Sequence, residues 1–351
     1  MERPYLKKAG CFTVALLAYT ALAAYLLIPY HTQWQRWDYL MPINLIGGAL
    51  GVLLLSRRWV RTWTASFISG LVYGFGPFAF YLMRFHPTAG SLIAGLPWLF
   101  CPAAFFQMRH RATSGFISRL RYFTGLIILV LLPGAALVLF HWGSTHAHWF
   151  ALPVSLHGPD LSGWMGFLAP CVYAEQGDML VGFYHLSLGP LVLGMAMLWR
   201  ARRYTFALIA GLGLTLAYIP PILEVCPLMW LALPHIVGAL AIGLGCEGLV
   251  WSGFADRMWL LIVGLLFGLL AAGSFALATA GLHAWIALEA STTQLLFETA
   301  RAYVLGFITI GLLVCVTQAK LRLHGLKSLL LIAVLVVDIV LSARFVLDRI
   351  L

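Results

Sequence analysis

Charge is what this chain has least of. Only 10% of its 351 residues are Asp, Glu, Lys or Arg, and just 12 of those are acids. Soluble domains carry about 25% charged residues, so an ordinary water-soluble globule is excluded. Also missing are the short motifs of several common chemistries. There is no Walker loop, dinucleotide-binding fingerprint, nucleophile elbow or CxxCH haem attachment site. The chain has no low-complexity segment and no convincing internal repeat.

What it has instead is apolar sequence: 62% hydrophobic residues and a mean hydropathy of +0.93. Crossing the hydrocarbon as a helix takes about 20 apolar residues, because lipid offers backbone N–H and C=O groups no partner. Runs of that length recur from Gly10–Pro29 to Ser328–Phe345. The fold class expected is therefore all-α, a polytopic integral membrane helical bundle forming one transmembrane domain over residues 1–351. The net charge of +10 does not point to nucleic acid, because the basic residues sit in short clusters between apolar runs, the pattern that orients membrane proteins.

Taken in order, the runs predict about 11 transmembrane helices, N-in and C-out, the first of them an uncleaved helix rather than a signal peptide. The expected spans are Gly10–Pro29, Tyr39–Leu55, Thr64–Met83, Ser91–Met108, Tyr122–Phe140, Met179–Trp199, Tyr204–Ile219, Leu228–Trp251, Met258–Ala278, Thr299–Thr317 and Ser328–Phe345. This register puts the basic clusters at Arg57–Arg61, Arg109–Arg121, Arg200–Arg203 and Lys320–Lys327 on the cytoplasmic side. Only Arg36, Arg84, Arg301, Arg344 and Arg349 are left outside, the bias that the positive-inside rule demands.

Polar groups follow the opposite distribution. Asp38, Asp160, Glu175, Asp178, Glu224, Glu289, Glu298 and Asp348 all fall on the outer side, as do most histidines, counting His185 and His235 near outer helix ends. The longest outer loop, residues 141–178, carries His141, His146, His148, His157, Asp160, Glu175 and Asp178, and a second outer segment covers residues 281–298. A working face would look outward.

Within that face, the His146–Ala147–His148 spacing suits two imidazoles on one divalent metal ion, although spacing supplies no third ligand. Asp38 begins the second helix, where it either caps that helix or serves as a general base for a lipid-borne substrate. Arg84 and His86 lie at an outer turn where a guanidinium would grip phosphate or simply snorkel to the interface. His157, Asp160, Glu175, Asp178 and His185 complete the candidate substrate-binding set. Cys171 and Cys226 fall in outer loops and form a candidate disulfide. Cys11, Cys101, Cys246 and Cys315 lie in expected helices as small buried apolar residues. Two acids are expected inside the membrane, Glu247 and Asp338, where carboxyls are costly and paired.

Two segments resemble the GT-C superfamily of polytopic glycosyltransferases. Arg57–Phe100 carries a basic turn, a small-residue helix with Gly70-x-x-Tyr73-x-x-x-Pro77-Phe78, a His-containing outer turn and a Leu96–Pro97 helix. Ser162–Arg203 is similar to the family's loop ending in Pro-x-x-Tyr (here Pro170 and Tyr173) that enters a Gly-rich helix closed by arginines. The resemblance covers about a quarter of the chain. It implies a GT-C-like core and transfer of a sugar from a polyprenyl-phosphate donor on the extracytoplasmic face of a bacterial inner membrane. The family's long first outer loop is here only His31–Asp38, and Asp38 is its sole acid. Two other readings stand beside it: a non-catalytic integral subunit of a larger membrane complex, and an ion- or proton-coupled transporter using Glu247 and Asp338.

Overall fold

A computed structural model describes residues 4–34, 39–85, 87–108, 116–147, 186–200, 204–219, 227–250, 254–279, 290–319 and 324–350. Among the described residues the structure is all helical, without a strand. The helices are α1 (Pro4–Leu27), α2 (Leu40–Ser56), α3 (Trp63–Gly74), α4 (Pro77–Phe85), α5 (Pro87–Met108), α6 (Phe116–Trp142), α7 (Leu188–Arg200), α8 (Tyr204–Leu216), α9 (Ala232–Val250), α10 (Phe254–Thr279), α11 (Ala290–Gln318) and α12 (His324–Ile350). Short helical turns follow α1 (Ile28–Gln33) and α6 (Gly143–Ala147) and lead into α9 (Pro227–Leu231).

Seven of these helices are long and apolar enough to cross a membrane, and eight if α3 and α4 together make one bent span. Apolar side chains also cover the outside, with Val130, Leu139, Leu208, Leu265 and Leu269 all exposed, as expected where lipid rather than water is the solvent. The protein is a multi-pass integral membrane protein.

The centre is built from α2, α3 and α9. The α2 helix packs on α3 and α5, α3 on α9, and α9 on α7. Small residues permit the closeness. A methyl at Gly70 would run into the Tyr19 hydroxyl and the Ala49 carbonyl oxygen, and one at Gly74 into the Leu45 carbonyl. Tyr19 is fully buried, donates a 2.8 Å hydrogen bond to the Phe67 carbonyl and stacks on the Phe67 ring at 4.8 Å. Tyr73 likewise donates to the Ile93 carbonyl of α5 at 2.8 Å. Each phenol thus finds a backbone acceptor that lipid cannot supply.

Several boundaries differ from the sequence reading. The run Thr64–Met83, read as one span, breaks between α3 and α4 with a 42° bend. Pro77 has no N–H to give and Gly74 and Gly76 flank the break, so the ladder stops there. The expected turn over residues 84–90 is nearly all helix, since α4 runs to Phe85 and α5 starts at Pro87. The outer segment expected over residues 281–298 is helical from Ala290 onward, so Glu298 sits inside α11 and is buried. Cys315, expected to be buried, is exposed on the outside of α11, whereas Cys101 is buried and Cys11 and Cys246 are half-buried.

Candidate functional site

The turn after α2, residues 57–62, organises one end of the bundle. Thr62 caps α3, its hydroxyl accepting from the Ala65 N–H at 3.4 Å. Arg57 lies over the Trp63 ring at 4.7 Å and reaches the Ser66 hydroxyl at 3.4 Å. Burial pulls the Arg57 guanidinium below its ordinary value, while the nearby Glu247 carboxylate acts in the opposite direction. Glu247 occupies the last turn of α9, where a negative charge opposes the helix dipole. Its Oε2 accepts the Arg61 backbone N–H at 3.0 Å. Rather than an isolated acid deep in the membrane, Glu247 is therefore a half-buried group tied to the basic turn.

Two cavities open beside this turn. The larger, about 740 Å³, is a groove bounded by α5, α6, α8 and α9, with Leu55, Arg58 and Trp59 at the basic end. Its volume falls in the ~300–1,000 Å³ range of small-molecule sites. The α6 wall packs on α5 and the α8 wall on α9, so the groove separates two arms of the bundle. Its walls are apolar, and Arg58 is the one charged side chain among the described residues that line it. Trp59 meets Phe206 edge-on at 5.1 Å beside Arg58. Such an arrangement suits an apolar chain ending in an anionic head.

The smaller cavity, about 300 Å³, lies between α3, α9 and α12. Thr62, Thr64, Glu247 and Ser328 form its polar part, and Ile68, Leu331 and Leu335 its apolar part. One turn beyond Leu335 on the same side of α12 is Asp338, 1% exposed and midway along the helix. Its Oδ1 accepts a 2.8 Å hydrogen bond from the Thr309 hydroxyl of α11, and its Oδ2 has no partner among the described residues. The first turn of α7 closes the space. A methyl at Gly189 would come within 3.1 Å of Asp338 Oδ1 and collide with the Thr309 side chain.

Most of the outer-face candidates, namely Asp38, His86, His148, His157, Asp160, Glu175, Asp178 and His185, lie outside the described residues, as do Cys171 and Cys226. Arg84 belongs to the last turn of α4. His146 lies in the helical turn after α6 with its ring stacked on Trp142 at 5.5 Å. Its Nδ1 sits 2.8 Å from the Thr145 hydroxyl and 3.2 Å from the Trp142 carbonyl, which leaves Nε2 for any metal. Among the described residues no group of three or more His, Cys, Asp or Glu is placed to hold a metal ion. His235, buried at 5% exposure, stacks on Phe78 at 4.0 Å with its Nδ1 2.7 Å from the Leu231 carbonyl. It belongs to the core.

Sequence reasoning used Arg58 and Trp59 only as topology markers and missed the groove they close. The doublet Arg58–Trp59 at a helix end, a cation beside an interfacial aromatic, was the signal available. It also missed Thr309 and Gly189 as neighbours of Asp338, which no local spacing could reveal. Helices, apolar exterior and basic turns define the class as a multi-pass helical membrane protein. No protein-family model, no curated protein and no solved structure matches the chain.

Proposed function

We propose that the protein works on a lipid-linked substrate whose apolar chain lies in the groove between α5, α6, α8 and α9. The observation that supports this is the groove itself, apolar in its lining and, among the described residues, served by one guanidinium. Within the membrane, such a chain gains little hydrophobic free energy on entering, because lipid tails are as apolar as leucine. Recognition must then come from fit and from the head group.

In its finer form the reading is an eleven-helix, N-in and C-out protein of a bacterial inner membrane with a GT-C-like core. It transfers a sugar from a polyprenyl-phosphate donor on the extracytoplasmic face. Asp38 would act as base, Arg84 and His86 would hold phosphate, and the 141–178 loop with His157, Asp160, Glu175 and Asp178 would cover the site together with His185. A divalent ion at His146 and His148 and a Cys171–Cys226 bridge belong to the same reading. The test is to purify the protein in mild detergent and identify the lipids extracted with it. Polyprenyl phosphates enriched over the bulk membrane support the reading, and lipids at bulk proportions overturn it. Loss of sugar transfer in Asp38→Asn would then place the base.

A second reading, a non-catalytic subunit of a larger membrane complex, is favoured by the position of Arg58. The groove's cation lies at the basic end, where it suits an anionic phospholipid held as a structural component. Stoichiometric protein partners together with an enriched anionic phospholipid would select it.

A further inference from the structure

We infer that Asp338 is a reversible proton-binding site inside the membrane, reached from the basic end of the protein through the smaller cavity and held by the amino end of α7. An O–H bond forms on Asp338 Oδ2 with a proton delivered by water in the cavity, and the same bond breaks when the proton leaves.

Asp338 stands midway along α12, about 20 Å from either end at 1.5 Å per residue, and is 1% exposed. An isolated carboxylate there is strongly disfavoured. Among the side chains the structure describes, the charged and titratable ones on elements packed against α12 are Cys11, Tyr19 and Tyr25 on α1, with Tyr30 in the turn that follows it, Tyr73 on α3, and Tyr81 on α4. To these α9 adds His235, Cys246 and Glu247, and α11 adds Glu298, Arg301, Tyr303 and Cys315; Lys327, Arg344 and Asp348 are on α12 itself. Among the described residues none of them forms an ion pair or hydrogen bond with Asp338. Lys327 donates to the Thr317 carbonyl at 3.1 Å, Arg344 lies over the Tyr25 ring, Tyr30 donates to Asp348, and Glu247 is held by the Arg61 N–H. Among the described residues no cation is stationed to keep Asp338 permanently ionised.

The surroundings are nevertheless built for both protonation states. The Thr309 hydroxyl donates to Oδ1. The α7 helix begins at Leu188 inside the protein, with Ser187 at its cap position 1% exposed and its hydroxyl unpartnered among the described residues. The amino end of a helix carries partial positive charge and free N–H groups. Gly189 in this first turn lets the helix end approach Asp338 and Thr309 where any side chain would collide. These groups favour the anion. The neutral acid is favoured by the apolar environment and needs nothing more than a proton on Oδ2, the oxygen without a partner among the described residues. A carboxyl with one oxygen held and one open, at the end of a half-length helix, can load and unload.

The cavity supplies the route. Ser328, Leu331 and Leu335 line it along one side of α12 and lead toward Asp338, while Thr62, Thr64 and Glu247 form the polar mouth at the basic end. Glu247, half-buried at that mouth, is placed to relay protons between bulk water and the interior.

The experiment is infrared difference spectroscopy of the full-length protein in lipid nanodiscs, titrated with pH. A carboxylic-acid C=O band from an apolar environment is expected at low pH, lost at high pH, and absent from Asp338→Asn. Should the variant fold poorly, wild-type protein carrying ¹³C at its aspartate carboxyls tests the same band by its isotope shift. A carboxylic-acid band that persists at every pH, or its absence at every pH, overturns the site. A midpoint that moves with sodium concentration also overturns it, in favour of a metal cation. Leu335→Trp, which fills the cavity, is expected to slow the proton exchange at least several-fold without changing the end states. An unchanged rate overturns the route through the cavity.

Discussion

Thr309 and Asp338, 29 residues apart in sequence and on neighbouring helices, share one 2.8 Å hydrogen bond in the middle of the membrane-spanning region. The hydroxyl is the only donor to that carboxyl among the described residues. Thr309→Val keeps the shape and removes the donor, leaving both carboxyl oxygens bare. Hydrogen bonds between membrane helices average about 0.6 kcal/mol and reach about 1.7. A loss toward the upper end is expected here because the remaining carboxyl stays buried. Thermal unfolding in detergent should show Tm falling by a few degrees, and Asp338→Asn should cost less than Asp338→Ala, since the amide fills the same space.

Gly70 is where α3 touches two other helices at once. A methyl there would meet both the Tyr19 hydroxyl of α1 and the Ala49 carbonyl of α2. Neither neighbour is a flexible end, because Tyr19 is fixed by its bond to Phe67 and Ala49 is backbone. Gly70→Ala is therefore expected to destabilise by about 1–3 kcal/mol, the usual cost of overpacking. Gly10→Ala, with nothing within 4 Å of the added carbon, should leave Tm within about a degree. Equal effects from the two would refute the packing argument.

Much of this architecture was legible in the sequence, because a long apolar run admits few alternatives in lipid. The runs at Met258–Ala278 and Ser328–Phe345 became α10 and α12 with only their ends extended. The break between α3 and α4 was hidden because Thr64–Met83 is apolar on both sides of Pro77, and hydropathy averages over a kink. The candidate site was less legible. Asp338 stood out because an intramembrane acid is expensive, but its partners come from α11 and α7, brought in by packing rather than spacing. Glu247 looked like a second such acid until the fold placed the Arg61 N–H against it. Arg58 read as one more cytoplasmic cation, since a groove made by four helices leaves no trace along any one of them.

Glu247 distinguishes acceptor from charge. Glu247→Gln retains an oxygen that can accept the Arg61 N–H, and Glu247→Ala does not. The acceptor is worth about 1.5–3 kcal/mol when charged and about 0.5–1.5 when neutral, reduced here because the group is half-buried. The expected order of Tm is wild type, then Gln, then Ala. Raising salt should narrow the gap between wild type and Gln, because screening acts on the charge and not on the neutral bond. An unchanged gap would show that the Arg57–Glu247 attraction contributes nothing.

Arg58 decides what the groove holds. Its guanidinium is the one charged group among the described residues lining about 740 Å³ of otherwise apolar wall, and the chain of a bound lipid gains little by leaving bulk lipid. Selectivity must then rest on the head group, where a charged hydrogen bond contributes about 1.5–3 kcal/mol, or roughly 10- to 150-fold in relative affinity. Arg58→Gln is expected to remove the enrichment of anionic lipid in the purified protein by at least tenfold while leaving total bound lipid unchanged, read by mass spectrometry of extracts. Leu129→Trp, placed on the α6 wall of the same groove, should do the reverse: less lipid bound, with anionic and neutral species reduced together. If Arg58→Gln leaves the anionic share untouched, the head group does not sit at the basic end and the groove is an ordinary lipid-filled crevice between two arms of the bundle.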